Sequence, residues 1–365
     1  MSAITGFPGI SKAQVFALLA EGLKGGATVV TPNRRLAMAL RRDFDDAQAA
    51  HGITVWESAD ILPLSAFVER AYEDALYSER ATELPIPLTD IQEQALWESV
   101  IRSSDAGGAL LAIPETAALA CEAWQLAHAW HLLPRLRTFP LNEDGKAFQE
   151  WAQRYESITR RDRYTDGARV VDVIAPLLER AEIRKPNVLI CYGFDIVTAQ
   201  QVSLLTRIRA AGCEVAFAGP EARKTSAQRA AHLDTRDEIR HAAMWARARL
   251  EAGAARIGVV APELAKHRKA IERTFSSMME PDHALPGARQ RVLPFNISLG
   301  ATLTSYALAN AAFLVLELAG RETDFERASR LVRSPFLAGG EIEMTQRARL
   351  DAELRRRAEP IVTLE

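Results

Sequence analysis

Asn187–Gln201 reads NVLICYGFDIVTAQQ. Val188, Leu189, Ile190 and Cys191 form a continuous apolar run, the pattern of a parallel strand covered on both faces. Tyr192-Gly193-Phe194 then leaves the strand, Thr198 is placed to cap a helix, and Val202, Leu205 and Ile208 recur at helical spacing. Strand, loop and helix in that order make one βα unit. In open α/β sheets ligand sites lie beyond the carboxyl ends of the strands. The loop after Cys191 is therefore either a working edge or a plain structural connection.

Outward from this unit, Ala27–Thr31 and Cys213–Gly219 read as further strands, and Ile53–Trp56 as a short one. Thr31-Pro32-Asn33-Arg34-Arg35 turns into a helix running to about Ala50. Leu36, Leu40 and Phe44 share one face of it, while Arg34, Arg35, Arg41 and Arg42 lie off that face. A hydroxyl, an amide, helix N-terminal N–H groups and guanidinium groups can all hold phosphate oxygens. The same arginines also fit a solvated face balanced by Asp43, Asp45 and Asp46, and both alternatives stand. From Leu64 to about Arg180 the pattern is helical with proline punctuation, as in an insertion between two strands of one sheet. Trp97, Trp124, Trp130 and Trp151 fall there at spacings that suit a core, although aromatic rings can also stack bases. Arg154, Arg160, Arg161, Arg163 and Arg169 form a second basic cluster diluted by Asp162 and Asp166. Further on, Thr235 and Glu238 read as a capping box opening a helix that Gly253 can close. Arg256–Ala261, RIGVVA, reads as the next strand and Leu264–Phe275 as the next helix.

The chain has 365 residues, enough for two or three domains, with 48% hydrophobic and 25% charged residues, an ordinary soluble globular balance. Lys+Arg of 45 against Asp+Glu of 47 leaves a formal net charge of -2, so nucleic acid could only be met by a local patch. Cys121, Cys191 and Cys213 show no CxxC spacing and read as buried thiols of a reducing compartment. With no signal-like segment and no long apolar run, a cytoplasmic protein with no membrane partner is expected. His128 and His131 lack a completing ligand, Asp144-Gly145-Lys146 sits in a polar turn without the strand a nuclease would place before it, and no cofactor or metal is expected. The chain stops inside an arginine-rich helix, Ala348–Ala358, followed by EPIVTLE, which is expected of a piece of a longer protein.

Two stretches invite comparison with nucleotide-binding motifs. In GFPGISKA, Gly6 and Lys12 fall at phosphate-loop spacing, but Ser11 replaces the second glycine and Ala13 the Ser/Thr that would meet magnesium. The segment VLICYGFDIVTAQQ resembles the Walker B region of UvrD-type superfamily 1 helicases. Phe194 and Gln200 match it, whereas its two acids fall on Tyr192 and Gly193, which can neither hold magnesium nor orient water. TPNRRLA resembles helicase motif Ia. DTRDEIRHAAMWARARLEAGAARIGVVAPEL, LPFNISLG and LVRSPFL resemble segments of UvrD and AddB proteins. Taken together the chain resembles the AddB/RexB group, and within it a family of bacterial probable DNA repair proteins carrying such a domain before a PD-(D/E)xK nuclease domain.

That resemblance implies an α/β fold: a RecA-like (P-loop NTPase-like) parallel sheet with a large helical insertion, plus part of a second RecA-like domain. Residues 1–62 and 184–230 would form the first domain, 63–183 the insertion, 231–300 the start of the second domain and 301–365 a helical segment. The implied function is a non-hydrolysing module guiding single-stranded or end-containing DNA, with a possible motor helicase subunit as partner. Thr31, Asn33, Arg34, Arg35, Arg41 and Arg42, with Asp195, Thr198 and Gln200, would line the DNA edge. Gly6, Ser11, Lys12, Tyr192 and Gly193 would mark a degraded nucleotide site. The alternative is a scaffold subunit that binds another repair protein without touching DNA.

Overall fold

The computed structural model describes residues 6–78, 81–109, 112–136, 138–180, 183–220, 227–254, 256–285, 292–318, 322–340, 342–357 and 361–363. The chain divides into two compact units, Met1–Thr225 and Ser226–Glu365.

The first unit is built on α1 (Lys12–Ala20), β1 (Ala27–Thr31), α2 (Arg34–Ala50), β2 (Ile61–Pro63) and α3 (Leu64–Leu76). Three long helices follow, α4 (Asp90–Arg102), α5 (Ile113–Ala129) and α6 (Glu143–Arg161). The chain then returns as β3 (Val188–Tyr192), α7 (Ala199–Ala210) and β4 (Glu214–Ala218). The strands form one parallel sheet in the order β2-β1-β3-β4, with Val29 opposite Ile61 on one side and Ile190 on the other. Phe217 donates to Pro8 O and Ile10 donates to Phe217 O, both at 2.8 Å, so residues 8–10 run along the outside of β4.

The apolar run of β3 is used on both faces, because successive side chains of a strand point opposite ways. Ile190 and Tyr192 pack with Val15, Leu40 and Phe44 of α1 and α2. Leu189 and Cys191 pack with Phe67 of α3 and Leu204 and Ile208 of α7. Burial pushes the Cys191 thiol up to about 12 and the Cys213 thiol up to about 11, which keeps both protonated at neutral pH.

The strand expected at Ile53–Trp56 does not form; the strand beside β1 is Ile61–Pro63. Ile61 is buried and in register with Val29, whose N–H donates to Asp60 O at 2.8 Å. Val55 projects into solvent with no sheet neighbour, and Trp56 instead donates its indole N–H to Asp45 at 2.9 Å. Asp60 then ties the amino-terminal end of the sheet together. It accepts Thr28 Oγ1 at 2.6 Å and both terminal nitrogens of Arg70 at 2.9 and 3.0 Å. Burial alone would raise its carboxyl, but the bonds from Arg70 and Thr28 and the nearby charges of Arg70 and Arg184 outweigh it and hold it below the usual range.

The inserted helices have their own core, in which Trp97 stacks on Tyr155 at 4.2 Å between ring centroids and Trp124 meets both edge-on. Trp130, expected with the others, is half exposed. The keystone is Asp166, which is 1% exposed and accepts the Trp124 indole N–H and the Tyr155 hydroxyl, each at 3.1 Å, and Arg169 Nε at 2.8 Å. Asp144-Gly145-Lys146 lies in the first turn of α6, where Asn142 accepts the Gly145 N–H at 2.9 Å, not in a free turn.

The second unit opens with α8 (Thr235–Glu251) and α9 (Leu264–Met279), joined through a small core of Ala243, Ala246 and Phe275. The cap of α8 is Asp234, which accepts the Asp237 N–H at 2.7 Å; Thr235 is the first helical residue, so the expected Thr235/Glu238 box is shifted by one. An Asp carboxylate one residue earlier competes for the same N–H groups and wins. Gly253 follows the helix at φ 84°, as its C-terminal position requires. The strand expected at Arg256–Ala261 is absent, for residues 256–261 are irregular and no described strand lies beside them. Beyond them come α10 (Ala307–Leu318), α11 (Phe325–Val332) and α12 (Met344–Arg357), with a small antiparallel ladder of Glu322–Asp324 and Ile361–Thr363. Among the described residues this unit contains no parallel sheet. The arginine-rich helix expected at the end of the chain is α12, anchored by Asp351, which accepts Ser329 Oγ at 2.5 Å and Arg355 Nε at 3.2 Å.

Candidate functional site

Because all four strands run the same way, their carboxyl ends share one edge, and the loops after β1 and β3 meet there. Gly193 marks the meeting point. Its φ is +74°, and a Cβ at this position would stand 2.6 Å from Leu36 Cδ2 in the first turns of α2. The left-handed backbone favours a glycine here, and any Cβ would have to push the tip of the Leu36 side chain aside. The Gly193 N–H donates to Ala218 O at 2.9 Å, which fixes the loop on its other side.

The residues expected at this edge divide sharply. Thr31 is fully buried and its hydroxyl donates to Asn33 O at 2.8 Å, so it shapes the turn and faces no ligand. Asn33 caps α2 by accepting the Leu36 N–H at 2.9 Å. Arg41 reaches back to Ile61 O at 2.7 Å and holds β2. Thr198 caps α7 in a reciprocal box with Gln201. Gln200 is buried and donates to Ala168 O at 2.8 Å and Asp172 at 3.0 Å, which locks α7 to the segment that closes the insertion. Arg34, Arg35 and Arg42 remain exposed on α2, and Asp195 is exposed in the loop after β3.

Arg34 and Arg42 have no carboxylate partner among the described residues, and half-exposed Met38 lies one turn from each. Eight residues along a helix put their Cα atoms about 12 Å apart. An exposed strip carrying two guanidinium groups and an apolar side chain between them therefore starts at the carboxyl edge and runs along α2. Two of the three carboxylates of this helix are engaged elsewhere, Asp43 on Lys12 and Asp45 on Trp56.

The residues aligned with a nucleotide site are used structurally. Ser11 caps α1 in a reciprocal box with Gln14. Lys12 Nζ lies 2.5 Å from Asp43 Oδ2 and 5.2 Å over the Phe16 ring, so it joins α1 to α2. Gly6 adopts φ 68° before the segment that pairs with β4. Tyr192 is 3% exposed within the core, and no carboxylate occupies the end of β3 before Asp195.

Sequence patterning missed two clusters. Asp166 was visible only as a charge diluting a basic run, whereas it is the acceptor that organises the inserted helices, with Arg169 lying 5.4 and 5.5 Å over the Trp124 and Tyr155 rings. Near it, Cys121 Sγ is 3.1 Å from buried Glu93; burial, then the carboxylate, push this thiol up to about 12 and make it a poor nucleophile. The second cluster is His232, Asp237 and His241 at the start of α8. Asp237 and His241 are four apart on a helix, a signal that was legible, but His232 joins them only through the path of the chain before Asp234.

Neither a scan against protein-family models nor a search of curated proteins finds a match for this chain. Among the described residues no helix is long and apolar enough to cross a membrane.

Proposed function

We propose that the chain is a non-hydrolysing, helicase-like DNA-binding module of a bacterial DNA repair nuclease, in which a RecA-like sheet guides single-stranded DNA along its carboxyl edge. The supporting observation is the Arg34–Met38–Arg42 strip of α2, exposed and anchored at the edge where α/β sheets bind ligands. Guanidinium groups suit phosphate oxygens, and an apolar side chain between them suits the sugar or base of an intervening nucleotide. The non-hydrolysing part of this reading is supported by the pairing of Lys12 with Asp43 and by Tyr192 in the core, where a nucleotide site would use a phosphate-binding lysine and a magnesium-binding acid.

The test is a fluorescence-anisotropy titration of labelled single-stranded and duplex DNA at several salt concentrations, with Arg34→Glu/Arg42→Glu alongside. Binding of single strands is expected to fall log-linearly with salt, and the variant to lose about 0.7 of slope for each phosphate contact removed. Equal binding by the variant would place the DNA elsewhere. No binding at low salt would favour a scaffold that meets another repair protein. ATP hydrolysis by the purified chain, abolished by Lys12→Ala, would overturn the non-hydrolysing assignment.

A further inference from the structure

We propose that His232, Asp237 and His241 bind one zinc-type divalent metal ion at the start of α8 in the second unit. Among the described residues they are the single group of three such donors, with one ligand atom from each lying within 4.8 Å of the others. His232 Nδ1 is 3.7 Å from one Asp237 oxygen, and His241 Nδ1 is 3.2 Å from the other. Two donors each about 2.1 Å from a tetrahedral ion stand about 3.4 Å apart, a value that the two His–Asp separations bracket, while the widest span in the group, bounded at 4.8 Å, would close as the two rings turn to the ion.

The geometry is built by the helix itself. Asp234 caps the helix by accepting the Asp237 N–H, which fixes Asp237 in the first turn. Asp237 Oδ2 receives the Leu233 N–H at 3.4 Å, and His241 follows one turn later on the same face. The chain before the cap brings His232 over His241, with ring centroids 4.8 Å apart and planes at 30°. Two protonated imidazoles at that distance would repel, whereas two neutral rings can direct lone pairs at a shared cation.

His241 Nδ1 also lies 2.9 Å from Asp237 O. On metal binding its lone pair would turn to the ion, and the ring proton would sit on Nε2, facing water. Imidazole nitrogens with one carboxylate select zinc, cobalt or nickel over magnesium or calcium, which prefer oxygen. Three protein donors leave a fourth position for water. The ion would clamp the segment before α8 onto its first two turns.

The test uses the full, untagged chain freed of metal by chelation, titrated with Co²⁺ for its visible absorption and with Zn²⁺ against a chromophoric chelator. One equivalent of zinc is expected, with magnesium failing to compete. His232→Ala, His241→Ala and Asp237→Asn should each weaken binding by on the order of 100-fold, since losing even an outer partner of a ligand costs 10- to 100-fold. His267→Ala, in the same unit, should leave it unchanged, and circular dichroism of each variant verifies that helix content is retained. Less than one equivalent bound at tens of micromolar zinc would overturn the site and leave the cluster as histidines paired with Asp237. Undiminished binding by folded His232→Ala and His241→Ala would overturn it equally.

Discussion

Val188–Tyr192 and Arg256–Ala261 look alike on paper, each a short apolar run set between helices, yet one is a strand and the other is not. The first is hydrogen-bonded on both sides, by β1 and β4, and covered on both faces. The second has no strand beside it among the described residues, and Val260 is 90% exposed. An extended backbone has unpaired N–H and C=O groups, and only a neighbour in register turns it into a sheet. The contrast teaches that an apolar run reports a tendency to be extended, while the partners decide whether that tendency becomes structure.

The contrast can be broken at several points. Five of the six tryptophans lie before residue 226, so tryptophan fluorescence in urea reports mainly on the first unit. The largest loss is expected from Asp166→Ala, which leaves Arg169, Trp124 and Tyr155 without their shared acceptor. Removal of one partner from a buried charged pair costs about 3–5 kcal/mol, seen as a lower midpoint. Ile190→Ala should follow at about 2–5 kcal/mol, because a buried side chain between two helices and two strands leaves a cavity. Val260→Ala, the matching change in the unpaired run of the second unit, should stay within about 0.5 kcal/mol when urea unfolding is followed by far-UV circular dichroism, which reports on the helices of both units. If the two alanine substitutions cost the same, residues 256–261 are paired in solution and the contrast fails.

A pH-dependent effect concerns Asp60, which is partly open to solvent. Its carboxyl is held down in the folded chain, so its contribution is fully present above the unfolded carboxylate range. It is lost as pH falls through the lower, folded value. Urea midpoints of the parent and Asp60→Asn should therefore differ at neutral pH and converge below about pH 4. A constant difference down to pH 2 would show that the bonds to Thr28 and Arg70 act through geometry alone.

Much of the candidate edge was legible because it rests on local chemistry. Thr198 is the cap its side chain predicts, Asn33 caps α2 where a phosphate contact was expected, and Leu40 and Phe44 bury the face their spacing predicts. Arg34 and Arg42 stay exposed because they lie off that face. The burial of Thr31 follows from the central place of β1 in the sheet, and Gln200 was not legible, since its partners Ala168 and Asp172 lie across the packing and depend on how the chain closes. The strand beside β1 was misplaced for the same reason: Ile53–Trp56 and Ile61–Pro63 are both extended candidates, and only the register with Val29 chooses between them.

What the sequence determined by itself was the long helices beside the sheet, the Thr198 cap, the doubly covered strand and the absence of a carboxylate at Tyr192 and Gly193. Each of these depends on residues within a few positions of one another. Tertiary structure alone decided the strand order, the buried acceptor role of Asp166, the tie between Lys12 and Asp43 and the convergence of His232 with Asp237 and His241. Those depend on distances closed through space, where burial and pairing energies outweigh local preference.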